Sequence, residues 1–213
     1  MSTIVVIGGT GYAGSSIVRE AVRRGHEVVA VSRNAPADPV EGVRYEQGAA
    51  ADSLPLIAGA DVVVGALSPR AGSEGTLVES YRSIARAAAD TGARLFVIGG
   101  FGSLRPAPGA PRFADGGEFP EEYAAEAKEL AAVLDALEAT PERVDWVFVS
   151  PAGVYGAYTP QGEPRGAYRT STDGTALFDA EGDSAIEGAD FALAVVDAIE
   201  RGEHHRAHLH FAY

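Results

Sequence analysis

The stretch VVIGGTGYAGSSIVREAVRRG, from Val5 to Gly25, sets an apolar run against a helical pattern, with Gly8, Gly11 and Gly14 at intervals of three between them. Val5 to Ile7 is β-branched, and Ser15 to Arg24 places Ile17, Val18, Ala21 and Val22 on one helical face before Gly25 ends it. A strand that turns directly into a helix, followed at once by a second strand in HEVVAVSR, is the opening unit of a βαβ fold.

The same alternation runs along the chain. ADVVVGALS from Ala60, ARLFVIGG from Ala93 and VDWVFVSP from Val144 read as strands. Leu77, Tyr81, Ile84 and Ala88 fall at helical spacing between the first two. Strands this apolar throughout predict burial on both faces, hence a parallel sheet covered by helices. A helix over Glu121 to Ala139 puts Tyr123, Ala127, Leu130, Leu134 and Leu137 on one face, with Glu126, Glu129 and Glu138 on an outer face read as solvated. Leu104 to Pro120 is rich in Pro and Gly and reads as a lid or pocket wall. Beyond Pro151 come a loop-rich stretch, a strand near Ala176 to Phe178, a helix near Ala189 to Glu200, and the closing strand HLHFAY. The expectation is one Rossmann-like, doubly wound α/β domain over residues 1–213, with substrate-pocket elements from about residue 151 onward.

Composition removes several chemistries. There is no cysteine, so disulfides and thiolate catalysis are excluded, and a formal charge of −13 without a basic patch argues against nucleic acid. No stretch approaches the roughly 20 apolar residues of a membrane span, and the first residues run into a strand rather than a basic leader. A cytoplasmic protein is expected. Lys128 is the only lysine, a skew that points to a G+C-rich bacterial genome.

The glycines carry the first chemical reading. After a strand and before a helix, Gly8, Gly11 and Gly14 let backbone amides and the helix dipole meet a pyrophosphate. An NAD site of this kind places a carboxylate about 20 residues on, to accept the ribose 2′-hydroxyl. This chain has Ser32, Arg33 and Asn34 there. A cation in place of the carboxylate suits a 2′-phosphate, so NADPH is the expected cofactor.

GGTGYAG, SRN, GADVVVGALSP, RLFVIGGFGSL, FPEEY and DWVFVSPAG, in that order, give the chain a resemblance to the atypical short-chain dehydrogenase/reductases. Within them it is similar to the NmrA-like branch of NAD(P)H–flavin reductase type, over almost its whole length. The resemblance implies that Gly8, Thr10, Gly11, Tyr12, Ala13 and Gly14 hold the pyrophosphate, and Arg33 with its neighbours the adenosine ribose. It further implies that Ala66, Leu67 and Ser68 run along the cofactor, that Gly99 and Gly100 lie below the nicotinamide, and that Ser150, Pro151, Ala152 and Gly153 flank its carboxamide. Relatives often carry an aspartate where Ala49 stands, so an adenine contact falls to Asp52 if to any side chain.

Catalysis is where the chain departs from its relatives. Short-chain reductases pair a tyrosine with a lysine four residues later. Here Ala127 holds that position after Tyr123, and Lys128 lies about 140° round the helix from the tyrosine. Gly99-Gly100 replaces the usual serine, leaving Tyr123 and Ser103 as the remaining candidates, with core packing the competing role for Tyr123. Carbonyl reduction needs a positioned proton donor, whereas hydride transfer to a flavin or quinone gives a delocalised anion that water can protonate. The leading expectation is an NADPH-dependent reductase of a flavin, quinone or similar planar acceptor, with Phe101, Tyr155 and Tyr158 lining its slot. The alternative is a non-catalytic NADP(H) redox sensor acting through a protein partner. An epimerase shares the fold but uses the missing Tyr-Lys pair.

Two further strings read blandly. AGSEG from Ala71 lacks the first glycine of a hydrolase nucleophile elbow. His204, His205, His208 and His210 sit without a carboxylate cluster, so no metal is expected, and His208 and His210 share one face of a half-buried edge strand.

Overall fold

The computed structural model describes residues 1–70, 72–117, 119–159 and 163–213. Ala71 of the AGSEG string, Glu118 of the expected pocket wall and 160–162 of the later loop therefore lie outside the description. Among the described residues eight strands form one sheet: β1 (Thr3–Ile7), β2 (Glu27–Ser32), β3 (Val43–Gln47), β4 (Val62–Gly65), β5 (Arg94–Ile98), β6 (Trp146–Ser150), β7 (Arg169–Ser171) and β8 (Ala207–Ala212). Their spatial order is β3-β2-β1-β4-β5-β6-β8-β7, with β7 antiparallel to β8 and the other pairs parallel. The chain winds outward from β1 in both directions. The switch point is thus at the carboxyl ends of β1 and β4, where open α/β sheets take ligands.

Helices α1 (Tyr12–Arg23) and α5 (Gly188–Arg201) cover one face; the short α2 (Leu54–Ile57), α3 (Leu77–Thr91) and α4 (Glu121–Glu138) cover the other. Ile4 and Val6 of β1 point into the first layer with Ile17, Phe191 and Leu209. Val5 and Ile7 point into the second with Tyr81, Leu134 and Phe148. Burial on both faces is why the strands read as unbroken apolar runs, each such side chain contributing roughly 1.5–3 kcal/mol.

A charged cluster fixes α1 against α5. Arg24 reaches Glu20 at 2.6 Å, Asp197 at 2.7 Å and Glu200 at 2.5 Å. Burial pushes the Glu20 carboxyl up, but hydrogen bonds from Arg23 and Arg24 outweigh it and hold the group below its ordinary range.

Two expectations are corrected. Ala176 to Phe178 forms no strand; the antiparallel partner of β8 is Arg169–Ser171, a polar triplet. Consequently β8 is an interior strand flanked by β6 and β7, not a half-buried edge. The actual edges are β3, where Arg44 and Glu46 pair at 2.7 Å, and β7, which is three residues long.

Candidate functional site

The turn after β1 is closed by short hydrogen bonds and packed so tightly that glycine is required at two of its positions. Gly8 N donates to Val31 O at 2.8 Å and Gly11 N to Gly8 O at 3.0 Å. Thr10 N donates to Ser32 Oγ at 3.0 Å, and that hydroxyl donates to Val31 O at 2.7 Å. Gly8 has φ +90°, and a Cβ there would lie 2.4 Å from Ala66 O; a Cβ on Gly14 would lie 2.2 Å from Gly8 O. The turn, the exit of β4 and the first turn of α1 thus meet backbone against backbone. The first bond into the helix runs from Ser15 N to Gly11 O at 2.8 Å, and no side chain caps α1 among the described residues. The helix-start amides of Tyr12, Ala13 and Gly14 together with the dipole form a cradle that fits a pyrophosphate.

Beyond β2, Arg33 and Asn34 are exposed at the same end of the sheet, and Gln47 Nε2 donates to Arg33 O at 3.0 Å. The Ser32 hydroxyl is committed to the turn. Asp52 accepts from Ala49 N at 2.8 Å and so caps the 3-10 turn Ala50–Ser53.

The exit of β4 is held from beneath by a residue that the sequence shows only as part of an apolar stripe. Tyr81 is buried, and its hydroxyl donates to Gly65 O at 2.9 Å and accepts from Leu67 N at 3.1 Å. Burial raises this phenol well above its ordinary pKa, so it remains protonated. A Cβ on Gly65 would fall 2.4 Å from the Tyr81 ring. Ala66 N donates to Ile7 O at 2.7 Å, which joins the bracket to β1. Ser68, which follows, is exposed, and its carbonyl accepts from Ser73 Oγ at 3.0 Å. The next loop is tied to α4: Arg70 binds Glu126 at 2.7 Å, and Glu129 accepts from Gly75 N at 2.9 Å and Leu77 N at 3.0 Å at the start of α3. Glu126 and Glu129 are therefore structural partners, not merely a solvated face.

At the ends of β5 and β6, Gly99 lies against Phe148, whose ring stands 2.1 Å from where a Cβ would be. The Ser150 hydroxyl is 3.0 Å from Gly100 O and 2.9 Å from His208 Nε2. Pro151 and Ala152 are buried and Gly153 is exposed. Phe101 stacks on Phe113 at 4.8 Å and meets Phe178 edge-on at 6.4 Å, giving a half-buried aromatic group beside these glycines. The expected lid is docked in its described part: Arg112 binds Asp135 at 2.6 Å, and Ala114 N donates to Gly102 O at 2.9 Å.

The two candidates for catalysis separate. Ser103 is buried, with a hydroxyl that finds no partner among the described residues. Tyr123 is 46% exposed, so its expected core role is corrected: α4 reaches the core one turn later, at Ala127. Phe101 and Tyr155, expected to share a slot, pack in different places. Tyr155 lies between Tyr12 at 5.1 Å and Phe191 at 4.7 Å in the α1–α5 layer, its hydroxyl buried. Tyr158 is 72% exposed and accepts from Tyr155 N at 3.3 Å, and Thr159 Oγ1 lies 2.5 Å from the Tyr12 hydroxyl, folding this loop over the glycine turn.

The histidines disperse. His204 O accepts from Arg94 at 2.7 Å, His205 lies 2.9 Å from Asp145, and His208 and His210 face Ser150. Among the described residues no group of three His, Cys, Asp or Glu side chains converges to hold a metal. No helix among them is long and apolar enough to cross a membrane.

A doubly wound sheet with a glycine cradle at its switch point defines a dinucleotide-binding protein of oxidoreductase-like fold. The sequence matches the NAD(P)H-binding family over residues 8–201, and the chain belongs to that family, in its atypical short-chain dehydrogenase/reductase, NmrA-like form. It is 36% identical over 208 residues to the protein YwnB of Bacillus subtilis, covering 94% of this chain and 93% of the relative. A candidate NADH-flavin reductase from Streptococcus pneumoniae superposes with a TM-score of 0.87 at 32% identity, over 100% of this chain and 99% of that one. A candidate epimerase from Bacteroides thetaiotaomicron gives 0.86 at 31% identity, over 99% and 96%.

Proposed function

We propose that the protein is an NADPH-dependent oxidoreductase whose hydride acceptor is a flavin, a quinone or a similar planar molecule. The observation that carries the cofactor part of this reading is the close approach of Gly8 to Ala66 at the β4 exit and of Gly14, in α1, to Gly8, which leaves a backbone-lined cradle no larger residue could preserve. NADPH, when bound, supplies the hydride. The chain's own residues bind and orient: Gly8, Thr10, Gly11, Tyr12, Ala13 and Gly14 at the pyrophosphate, and Ser32, Arg33 and Asn34 at the ribose phosphate end. Ala66, Leu67 and Ser68 run along the middle, with Gly99, Gly100, Ser150, Pro151, Ala152 and Gly153 around the nicotinamide. Arg33 in place of a carboxylate supports NADPH over NADH.

Support for a planar acceptor comes from the other end of the site. Phe101 and Phe178 offer aromatic surface beside Gly99 and Gly100, whereas Tyr123 is turned outward and Ser103 is sealed in. An acceptor whose reduced form is a delocalised anion does not depend on a side-chain acid, so orientation and water exclusion suffice. The similarity to a candidate flavin reductase agrees with this choice. A cytoplasmic setting, where NADPH is supplied, belongs to the same proposal.

The exposure of Val154, Tyr158 and Phe178, at 47%, 72% and 38%, favours a second reading: an NADP(H) sensor that offers exposed apolar side chains such as these to a protein partner. Anaerobic NADPH oxidation with FMN, riboflavin and a quinone, beside an NADH series and a control without acceptor, separates the two. Acceptor-dependent turnover that prefers NADPH supports the reductase. Tight NADPH binding with no turnover on any acceptor refutes it and leaves the sensor.

A further inference from the structure

We infer that His208 and His210 are positioning residues for the nicotinamide end of the site, acting through Ser150 on the Gly99-Gly100 turn. The inference rests on the dinucleotide reading above and goes beyond it, because neither histidine belongs to the proposed cofactor contacts.

The hydrogen-bond inventory of Ser150 assigns the arrangement. Gly100 O can only accept, so the single Ser150 hydroxyl proton, 3.0 Å away, goes to it. The Ser150 oxygen then accepts from His208 Nε2 at 2.9 Å, which fixes the tautomer of His208 with its proton on Nε2. Ser150 O accepts in turn from His210 Nδ1 at 3.1 Å. Strand β8 therefore grips Ser150 twice, once by its side chain and once by its main chain. Both histidines reach it because His208 and His210 are two residues apart and project from one face of the strand.

The grip is passed on to the glycines. Gly100 O also accepts from Ser103 N at 3.1 Å, so both of its lone pairs are used. Gly99 cannot move toward the sheet, since Phe148 fills the space beside it. Phe148 is itself met edge-on by the His208 ring, at 5.1 Å between centroids and 88° between planes. Ser150, His210 and Phe148 are all but sealed from solvent, and the bond from His210 to Ser150 O is buried, whereas His208 and Gly100 are partly buried. In a site without a Tyr-Lys pair, rate depends on where the reacting ring is held, and a displacement of about 1 Å costs on the order of 100-fold.

The test compares two ligands on three variants by calorimetric titration, with urea denaturation run in parallel. NADPH spans the whole site; adenosine 2′,5′-bisphosphate lacks the nicotinamide half. His208→Leu removes the donor at similar volume, His208→Gln restores an N–H of similar reach, and Ser150→Ala removes the hydroxyl alone. The expected result is about a tenfold loss of NADPH affinity in His208→Leu and Ser150→Ala, with bisphosphate affinity within about twofold of wild type and His208→Gln restoring NADPH to within about threefold. If His208→Leu does not fold, His208→Ala, which removes the same donor, decides in its place, because Ser150 is itself among the proposed cofactor contacts. Equal losses for both ligands, no loss for either, or failure of His208→Gln to restore binding would overturn the inference alone. A wild-type protein that binds neither ligand nor NADH would overturn the dinucleotide reading together with it.

Discussion

Replacing Tyr81 by phenylalanine removes one oxygen atom and leaves the ring that fills the space beside Gly65. No cavity is created, so the measured cost isolates the hydroxyl. That hydroxyl donates to Gly65 O and accepts from Leu67 N. Loss of both bonds strands two backbone groups, each costing roughly 1–3 kcal/mol if no water replaces the partner. Gly65 is buried but Leu67 is only partly so, and its amide can recover some solvation. The net destabilisation should be about 2–3 kcal/mol, or about 5–10 °C in Tm for a chain of this size. Urea denaturation should show a lower midpoint with an unchanged slope, because no extra surface is exposed. The bracket also holds Ala66 against Gly8 and Ile7, so NADPH affinity should fall by about threefold to tenfold in the same variant. A stability loss below about 0.5 kcal/mol would refute the reasoning, since it would show that the two bonds contribute nothing net to the β4 exit.

Two further outcomes are expected. Arg33→Ala should weaken NADPH binding about tenfold to a hundredfold while leaving NADH nearly unchanged; equal losses for the two cofactors would remove Arg33 from the 2′-phosphate site. For pH, burial, the charges of Arg112 and Arg105 and the neighbouring His210 depress His208 from 6.5 to about 3, against a smaller opposing effect of Asp173. The unfolded chain therefore binds the extra proton first, and stability is complete above pH 6.5 and falls as the pH drops toward 3. His208→Gln should flatten that slope by at most about 1.4 kcal/mol per pH unit. The difference should be visible before the carboxyls of Glu20, Asp197 and Glu200, all held below their ordinary range, begin to titrate. Equal slopes in chemical denaturation at pH 6.5 and 5 would refute it.

What was legible in the sequence follows from which interactions are local. Strands buried on both faces announce themselves as apolar runs, and the glycine turn has a spacing that follows from its own backbone geometry. Ala176 to Phe178 misleads because Leu177 packs against the α1–α5 layer and Phe178 meets Phe101 edge-on without the segment pairing as a strand, whereas Arg169–Ser171 pairs while remaining polar at an edge. Tyr123 fits the helical period of α4, but period says nothing about where along its length a helix first meets the core. Glu129 and Tyr81 were invisible as partners for a different reason. Each bonds to backbone groups on another element, and a backbone acceptor or donor leaves no mark in the residue string. The alternation of His208 and His210 was readable; their common target was not, since it required knowing that β8 lies beside β6.

The two ends of the sheet bear on how copies of the chain could assemble. An open strand edge invites another edge to continue it. Here β3 presents charged Arg44 and Glu46, and β7 offers only three residues of pairing length. Neither end is a good template for a ninth strand from a second molecule. Both edges are thus blunted against the edgewise growth that turns α/β proteins into aggregates, which leaves helix and loop surfaces as the better-suited faces for self-association.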